Sequence, residues 1–443
     1  MSERWARAIL TAYRWVGASA YPFIGSYVAW RASRGKEEHV RRRERYGRAG
    51  HPRPKGPLIW VHAASVGETL AVTPLIERLA SFGINVVLTT GTVTSAQVAN
   101  ERLGRIIIHQ YVPLDLKPAI SRFLDHWKPD LAIMAESEIW PMTILELGAR
   151  RVPQVLVNGR LSDRSFASWT KRSYLAEALF ENLAHVVAQS ELDAERFAKL
   201  GARPVTVSGN LKVDTDPVAV DDQELHRIQS QIGRRKVWAA ISTHEGEELA
   251  AAEVHQSLKA RHPDILTVIV PRHPERGEAI AAEAAALGLT VARRSLGETI
   301  TPQTDIYLGD TIGEMGLYLR LTEIAFVGRS LTGQGGQNPL EPAMLNTAVL
   351  SGRNVQNFRD AYQQLSAHGG ARFVRNKEVL AGAVNFLLNN YSERRKMIEG
   401  GRKAVEEMRG ALSRTLLALD PYIHPLIVQA RLGAPTNGNG NGR

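Results

Sequence analysis

The sequence predicts an α/β protein built from two doubly wound domains, each a mostly parallel sheet covered by helices on both faces. Three observations lead there. At 443 residues the chain exceeds one ordinary core and divides naturally into two domains of roughly 150 to 200 residues. Beyond Pro57, short β-branched runs alternate with stretches of helical spacing, the pattern of strands joined by crossover helices. After a polar, Asp-rich stretch at 214–223 the alternation begins again, which places a linker there.

Charge and hydropathy define the N-terminal element. The net charge of +10 would point to nucleic acid if it were spread along the chain. It is concentrated instead: ten Lys/Arg against three Glu fall within 31–55, seven of the ten net positive charges. That block directly follows the uncharged, aromatic-edged run WVGASAYPFIGSYVAW at 15–30, as in an attachment to the anionic cytoplasmic face of a membrane, with no nucleic-acid partner. The run is shorter than the roughly 20 apolar residues a span needs, so an interfacial helix is at least as good a reading. Arg14 interrupts the apolar region that a signal peptide ending at Ala18, Ser19 and Ala20 would require.

Residues 1–50 are thus read as an attachment helix and basic segment, 51–215 as the first domain, 224–425 as the second, and 433–443 as a disordered tail. Strands are expected at 58–63, 84–90, 106–112, 130–135, 154–158 and 185–188, then at 237–242, 266–270, 290–292, 306–308, 324–327 and 348–350. Two such halves would face each other across a cleft at the carboxyl ends of their strands, where ligands of open α/β sheets bind. The composition, 44% hydrophobic and 23% charged, is that of a globular chain, and the absence of cysteine excludes disulfides, thiolate zinc sites and Cys nucleophiles.

Several motifs fall just after expected strands. In HAASVGE at 62–68, Ser65 and Glu68 have the spacing of a capping box, while Glu68 at a helix start among small residues could also accept a proton from a sugar hydroxyl. AESEIWP at 135–141 puts Glu136 and Glu138 at a strand end, where either could cap the next helix. SGNLK at 208–212 offers Lys212 after a Gly-Asn turn, for an anion or simply for solvent. In the second half, GQGG at 333–336 precedes QNPLE, read as a flexible loop, Asn338 as cap, Pro339 at the first helical position, Leu340, and Glu341 at the third. Such a terminus presents free amides to a phosphate. PRHPER at 271–276 adds Arg272, and GDTIGEMG at 309–316 is a glycine-bearing turn a ligand could approach. The D-x-D spacing of Asp214 and Asp216 falls in the linker and is not read as a metal site. His109, His126 and His185 are read as structural, and zinc-protease, hydrolase-elbow and Walker motifs do not occur.

Taken together, HAASVGE, AESEIWP, GNLK, PRHPER, GDTIGEM and GQNPLEPA resemble, in order and spacing, the Kdo (3-deoxy-D-manno-oct-2-ulosonic acid) transferases, over roughly residues 5 to 415. The resemblance implies a GT-B fold and an enzyme that needs no metal or other cofactor. It implies transfer of Kdo from CMP-Kdo to a lipid A precursor at the cytoplasmic side of the inner membrane. It also implies that Glu68 is the general base, that Glu136 and Lys212 assist the transition state, and that Pro271, Arg272, Gly313, Glu314, Met315, Asn338, Pro339, Leu340 and Glu341 line the nucleotide. Another GT-B sugar-nucleotide enzyme, or a noncatalytic membrane-bound glycolipid-binding protein, are the alternatives.

Overall fold

The computed structural model describes residues 24–35, 37–215 and 220–433. The expected tail from 434 onward and most of the apolar run before 24 lie outside the described residues. The chain divides into two compact units, Met1–Thr215 with Gly410–Arg443, and Asp216–Arg409.

The first unit holds seven strands: β1 (Leu58–His62), β2 (Asn85–Thr90), β3 (Ile108–Tyr111), β4 (Leu131–Ala135), β5 (Gln154–Gly159), β6 (His185–Ala188) and β7 (Val205–Val207). Their order is β3-β2-β1-β4-β5-β6-β7, and every pairing is parallel. β1 reads LIWVH and is buried throughout, as expected of a central parallel strand covered on both faces. Its side chains alternate between two cores: Leu58 and Trp60 enter one with Phe123 and Trp127, Ile59 and Val61 the other with Val72 and Ile76. The chain winds outward from β1 to β3, then returns to begin β4 on the other side of β1. The carboxyl ends of β1 and β4 therefore form the topological switch point of this sheet.

The second unit repeats the plan with β8 (Val237–Thr243), β9 (Leu266–Pro271), β10 (Val291–Arg293), β11 (Ile306–Leu308), β12 (Ile324–Val327), β13 (Ala348–Ser351) and β14 (Ala371–Phe373). The order is β10-β11-β9-β8-β12-β13-β14, again all parallel, so its switch point lies between β8 and β12. Trp238, Ala240, Ile269, Phe326 and Leu350 sit in one continuous core.

Two features differ from the sequence expectation. The second domain was expected to run to 425, but the helix Ala411–Gly433 groups with the first unit: Leu419, Ile423 and Leu426 pack into the core that holds Ile59 and Val61. Asp214 holds it there, accepting the N–H of Gly410 at 2.9 Å and of Leu412 at 2.6 Å. The stretch read as a linker thus begins with a clamp. The basic block, in turn, is not one solvent-facing patch. Arg45 is buried, pairs with Glu37 at 2.9 Å and donates to the carbonyls of Gly91 and Val112. Arg41 bonds Glu44, which itself accepts the Tyr111 N–H at 2.7 Å, so this part of the block is bolted to the ends of β2 and β3.

Candidate active site

In the first unit, the polar side chains gather at the switch point. β1 ends at His62, and the chain turns through Ala63 and Ala64 into the helix Val66–Ser81. Ser65 caps that helix, its hydroxyl accepting the Glu68 N–H at 3.3 Å. The return bond departs from an ordinary capping box: Glu68 Oε2 accepts the N–H of Ala64 at 2.8 Å, one residue before the cap, while Oε1 accepts the Ser65 hydroxyl at 2.9 Å. The carboxylate is thereby held over the turn that leaves β1.

β4 delivers the other carboxylates. Glu136 follows it in the left-handed region, at φ 53°, and Asn158 at the end of β5 does the same at φ 53°. Non-glycine residues of this conformation, one just after β4 and one next to last in the adjacent β5, are a strained arrangement of the kind that marks functional edges. Glu136 Oε1 pairs with Lys212 Nζ at 2.5 Å and lies 3.5 Å from Asn158 Nδ2. Asn158 Oδ1 also accepts the Leu211 N–H at 3.0 Å, which fixes the turn carrying Lys212. Glu138 takes a different set of partners: its Oε2 accepts from Trp140 Nε1 at 2.6 Å and from His62 Nε2 at 3.2 Å. The other ring nitrogen of buried His62 lies 2.9 Å from Thr89 Oγ1, which accepts in turn from Trp60 Nε1 at 2.9 Å. Glu138 is thus tied through His62 to the sheet interior.

These surroundings separate the carboxyl groups electrostatically. Burial, then the charges of Glu138 and Glu136, raise the Glu68 carboxyl above its ordinary value against the bonds from Ala64 and Ser65. Burial also acts to raise Glu138, but the bond and charge interaction with His62, and the bond from Trp140, outweigh it and hold that carboxyl low. A raised carboxyl is a stronger base once ionised, and a lowered one beside it remains a fixed negative charge.

In the second unit, the ends of β8 and β12 show a similar backbone. Ser242 and Arg329 adopt φ 50° and 54°. Arg272 leaves β9 with its N–H on the Thr243 carbonyl at 3.0 Å and its side chain exposed. Pro271 is the last residue of β9. Asn338 Oδ1 accepts the Leu340 N–H at 3.2 Å, but the helix begins one residue later than the sequence implied, with Pro339 and not Asn338 at the N-cap position. That helix, Leu340–Met344, has only five residues and little dipole to offer. Burial raises the Glu341 carboxyl, opposed by the charge of Arg320. The Gly313–Glu314–Met315 turn differs from an open ligand site at its side chain: Glu314 pairs with Arg294 at 2.5 Å and accepts the Thr311 hydroxyl at 2.5 Å.

The glycine loop corrects its first reading. Gly335 at φ 104° and Gly336 at φ 71° need glycine for their conformation. A Cβ on Gly336 would also meet the Val355 backbone at 2.9 Å. Their amides already bond Gln356 Oε1 at 3.1 Å and the Arg329 carbonyl at 2.9 Å. These glycines are therefore explained by packing of the loop on 354–357, without a phosphate. Sequence reading also passed over His62, Asn158, His244 and Glu247. Asn158 ends an apolar strand run, and His244 and Glu247 stand in THEGEE directly behind β8, the same position behind a strand that drew attention to the other motifs.

Two parallel Rossmann-like sheets, each with a polar cluster at its switch point, are the architecture of the GT-B fold. Solved structures share the fold: a putative UDP-N-acetylglucosamine 2-epimerase from Listeria monocytogenes has a TM-score of 0.61 at 16% identity, covering 84% of this chain and 97% of that one. A glycosyltransferase from Rickettsia africae has a TM-score of 0.58 at 14% identity, covering 84% and 99%. Within that fold class, residues 40–215 match the family described as 3-deoxy-D-manno-octulosonic-acid transferase (kdotransferase). The 3-deoxy-D-manno-octulosonic acid transferase of Haemophilus influenzae is 35% identical over 410 residues, covering 90% of this chain and 95% of that protein. The corresponding protein of Bordetella pertussis is 35% identical over 395 residues, covering 86% and 91%. A probable mitochondrial form from Arabidopsis thaliana is 34% identical over 419 residues, covering 91% and 93%. The chain belongs to the Kdo transferase family and is a glycosyltransferase.

Proposed function

We propose that this chain transfers Kdo from CMP-Kdo to a hydroxyl of the lipid A precursor lipid IVA, with inversion at the anomeric carbon and no metal ion. In this reading the first unit binds the acceptor and the second the donor, at the cytoplasmic side of the inner membrane. The observation that carries it is the setting of Glu68: a carboxyl raised by burial and by two neighbouring carboxylates, held by Ala64 and Ser65 at the switch point. Each of its oxygens accepts one protein hydrogen bond and keeps capacity for another, so a substrate hydroxyl can donate to it.

As the acceptor oxygen forms its bond to the anomeric carbon, its proton passes to Glu68 and the bond from that carbon to the phosphate oxygen breaks, releasing CMP. Lys212, held at 2.5 Å by Glu136, offers positive charge at the same edge to the negative charge that redistributes in the transition state. On the donor side, exposed Arg272 suits a phosphate oxygen, the Gly313–Glu314–Met315 backbone and the segment from Asn338 through Pro339 and Leu340 line the nucleotide, and Glu341 accepts from ribose hydroxyls. CMP leaves as a stable anion, so the chemistry asks for a base and positive partners, and no step is assigned to a metal.

The test is Glu68→Gln, which retains an acceptor for the Ala64 N–H but cannot take a proton. We expect transfer from CMP-Kdo to lipid IVA to fall by roughly 100-fold or more, with CMP still raising the melting temperature. Turnover close to wild type would remove Glu68 as the base. Stabilisation by UDP and not by CMP would remove the donor assignment.

A further inference from the structure

The second unit contains a carboxylate that none of the reaction steps uses. Glu247 is the first residue of the helix Glu247–Lys259 and is only 1% exposed. Its Oε2 accepts the N–H of His244 at 3.0 Å and of Arg329 at 2.5 Å, and its Oε1 accepts the N–H of Ser330 and of Leu331, both at 2.9 Å. One side chain thus gathers four backbone donors from the exits of β8 and β12, the two strands that flank the switch point.

The surrounding backbone fits no other arrangement easily. Gly328, the residue after β12, passes so close that a Cβ there would meet the Ser242 carbonyl oxygen and the Thr243 Cα at 2.6 Å each and Glu247 Oε2 at 2.8 Å. Arg329 is then forced to φ 54°, a conformation disfavoured for a side-chain-bearing residue, and its N–H is the one Glu247 takes at 2.5 Å. The far end of the loop is tied to the same centre. Gly336 donates to the Arg329 carbonyl at 2.9 Å, and the Gln337 amide nitrogen lies 3.1 Å from His244 Nε2, whose own backbone N–H rests on Glu247. Asn338 is the next residue.

We infer that Glu247 is a positioning residue that presets the loop 328–337, so that affinity on the donor side depends on a carboxylate shut away from the ligand. The inference rests on the donor-site reading of Arg272 and of Asn338 through Glu341. Its physical basis is that a loop held in advance loses less conformational freedom on binding, so more of the contact energy appears as affinity. Only a carboxylate serves here: an ionised carboxyl is all acceptor, while an amide would set its NH2 group against two of the four N–H donors.

The experiment uses full-length wild type and Glu247→Gln in detergent, measuring amide hydrogen exchange, CMP affinity by calorimetry, and the kinetics of transfer. In wild type the amides of Arg329, Ser330 and Leu331 should exchange as slowly as those within β8 and β12. In Glu247→Gln they should exchange faster, the Kd for CMP and the KM for CMP-Kdo should rise on the order of tenfold, and kcat should stay within about threefold. Glu247→Asp, which keeps four acceptor sites but shortens the reach, should fall between the two. A Gln variant that melts lower yet binds CMP with the wild-type Kd would overturn the inference by reducing Glu247 to a structural group. Fast exchange of those three amides in wild type would overturn it with no variant needed, so the answer survives a Gln variant that fails to fold. Protected amides in a wild type without CMP affinity would sink the donor-site reading and the link to affinity together, a result distinguishable from either of the others.

Discussion

At the scale of single residues, three glutamates within one turn of chain and one strand crossing are assigned different work by their neighbours. Glu68 is raised by burial first, then by Glu138 and Glu136, so removing the Glu138 charge should lower it. Glu138→Gln is therefore expected to move the acid limb of the pH profile of kcat/KM to lower pH, which a series of initial rates across that limb measures directly. No movement of that limb would mean that Glu68 is not the group titrating there. The same shift has a consequence for stability. A carboxyl raised in the folded state above its unfolded value favours folding while protonated, and that contribution is lost as pH rises through the folded value. Ionised Glu68 is thus a liability at neutral pH. Glu68→Gln should melt at or above the wild-type temperature at pH 7, and the difference should shrink as pH falls toward the ordinary value of 4.5. Of these details the sequence contained the S-x-x-E spacing, which marked the helix start and Glu68 together. It could not show that the return bond goes to Ala64, or that His62 binds Glu138, because both depend on which strands lie side by side.

At the scale of elements, what was legible followed burial. Central strands are apolar on both faces and stand out as continuous runs, so β1, β2, β4, β8, β9 and β12 were each located to within a residue or two. β7 and β14 were not anticipated. Both are edge strands of three residues, Val-Thr-Val and Ala-Arg-Phe, partly exposed along their length, and nothing in such triplets separates them from loop. The helix Ala411–Gly433 is the larger surprise, since an apolar helix announces that it packs but not against which core. Asp214 supplies the missing information by capping it across nearly 200 residues of sequence. Asp214→Ala should cost about 1 to 2 kcal/mol in urea unfolding followed on the first unit, the scale of a lost cap, and should expose the chain around 408–411 to protease. Asp214→Asn, which keeps one acceptor oxygen, should lose less. Equal stability of Ala variant and wild type would show that packing of Leu419, Ile423 and Leu426 holds the helix unaided.

At the scale of the whole molecule, the question is which of its positive charges can reach a membrane. The net charge of +10 is concentrated within 31–55, and the structure sorts that block by what each residue touches. Arg41, Arg45 and Arg53 turn inward: Arg41 bonds the His109 carbonyl at 3.0 Å, Arg45 those of Gly91 and Val112, and Arg53 that of Trp127 at 2.7 Å. Beside Arg41 and Arg45, burial and their charges push the His109 imidazole down to about 3, so the imidazole adds no charge at neutral pH. Arg34, Arg42, Arg43, Arg48 and Lys55 are exposed, and with them stand Trp30, 49% exposed, and Val40, 87% exposed. Among the described residues no helix is long and apolar enough to cross a membrane. Exposed arginines beside an aromatic and an aliphatic side chain suit the headgroup layer of an anionic bilayer, each cation contributing about 1 kcal/mol near the surface. The two sets of arginines then predict opposite failures. Arg42→Glu with Arg43→Glu should leave the melting temperature nearly unchanged while weakening binding to vesicles containing anionic lipid, most visibly at low salt, where screening is least. Arg45→Ala should instead lower the melting temperature, because it leaves buried Glu37 with Arg31 alone as its partner and two carbonyls without the Arg45 donor. Removing residues 1–30 should release the protein from vesicles with the fold intact, whereas removing 1–55 should unfold the first unit. If the Arg42 and Arg43 reversal binds anionic vesicles as wild type does, the exposed arginines are not a membrane contact.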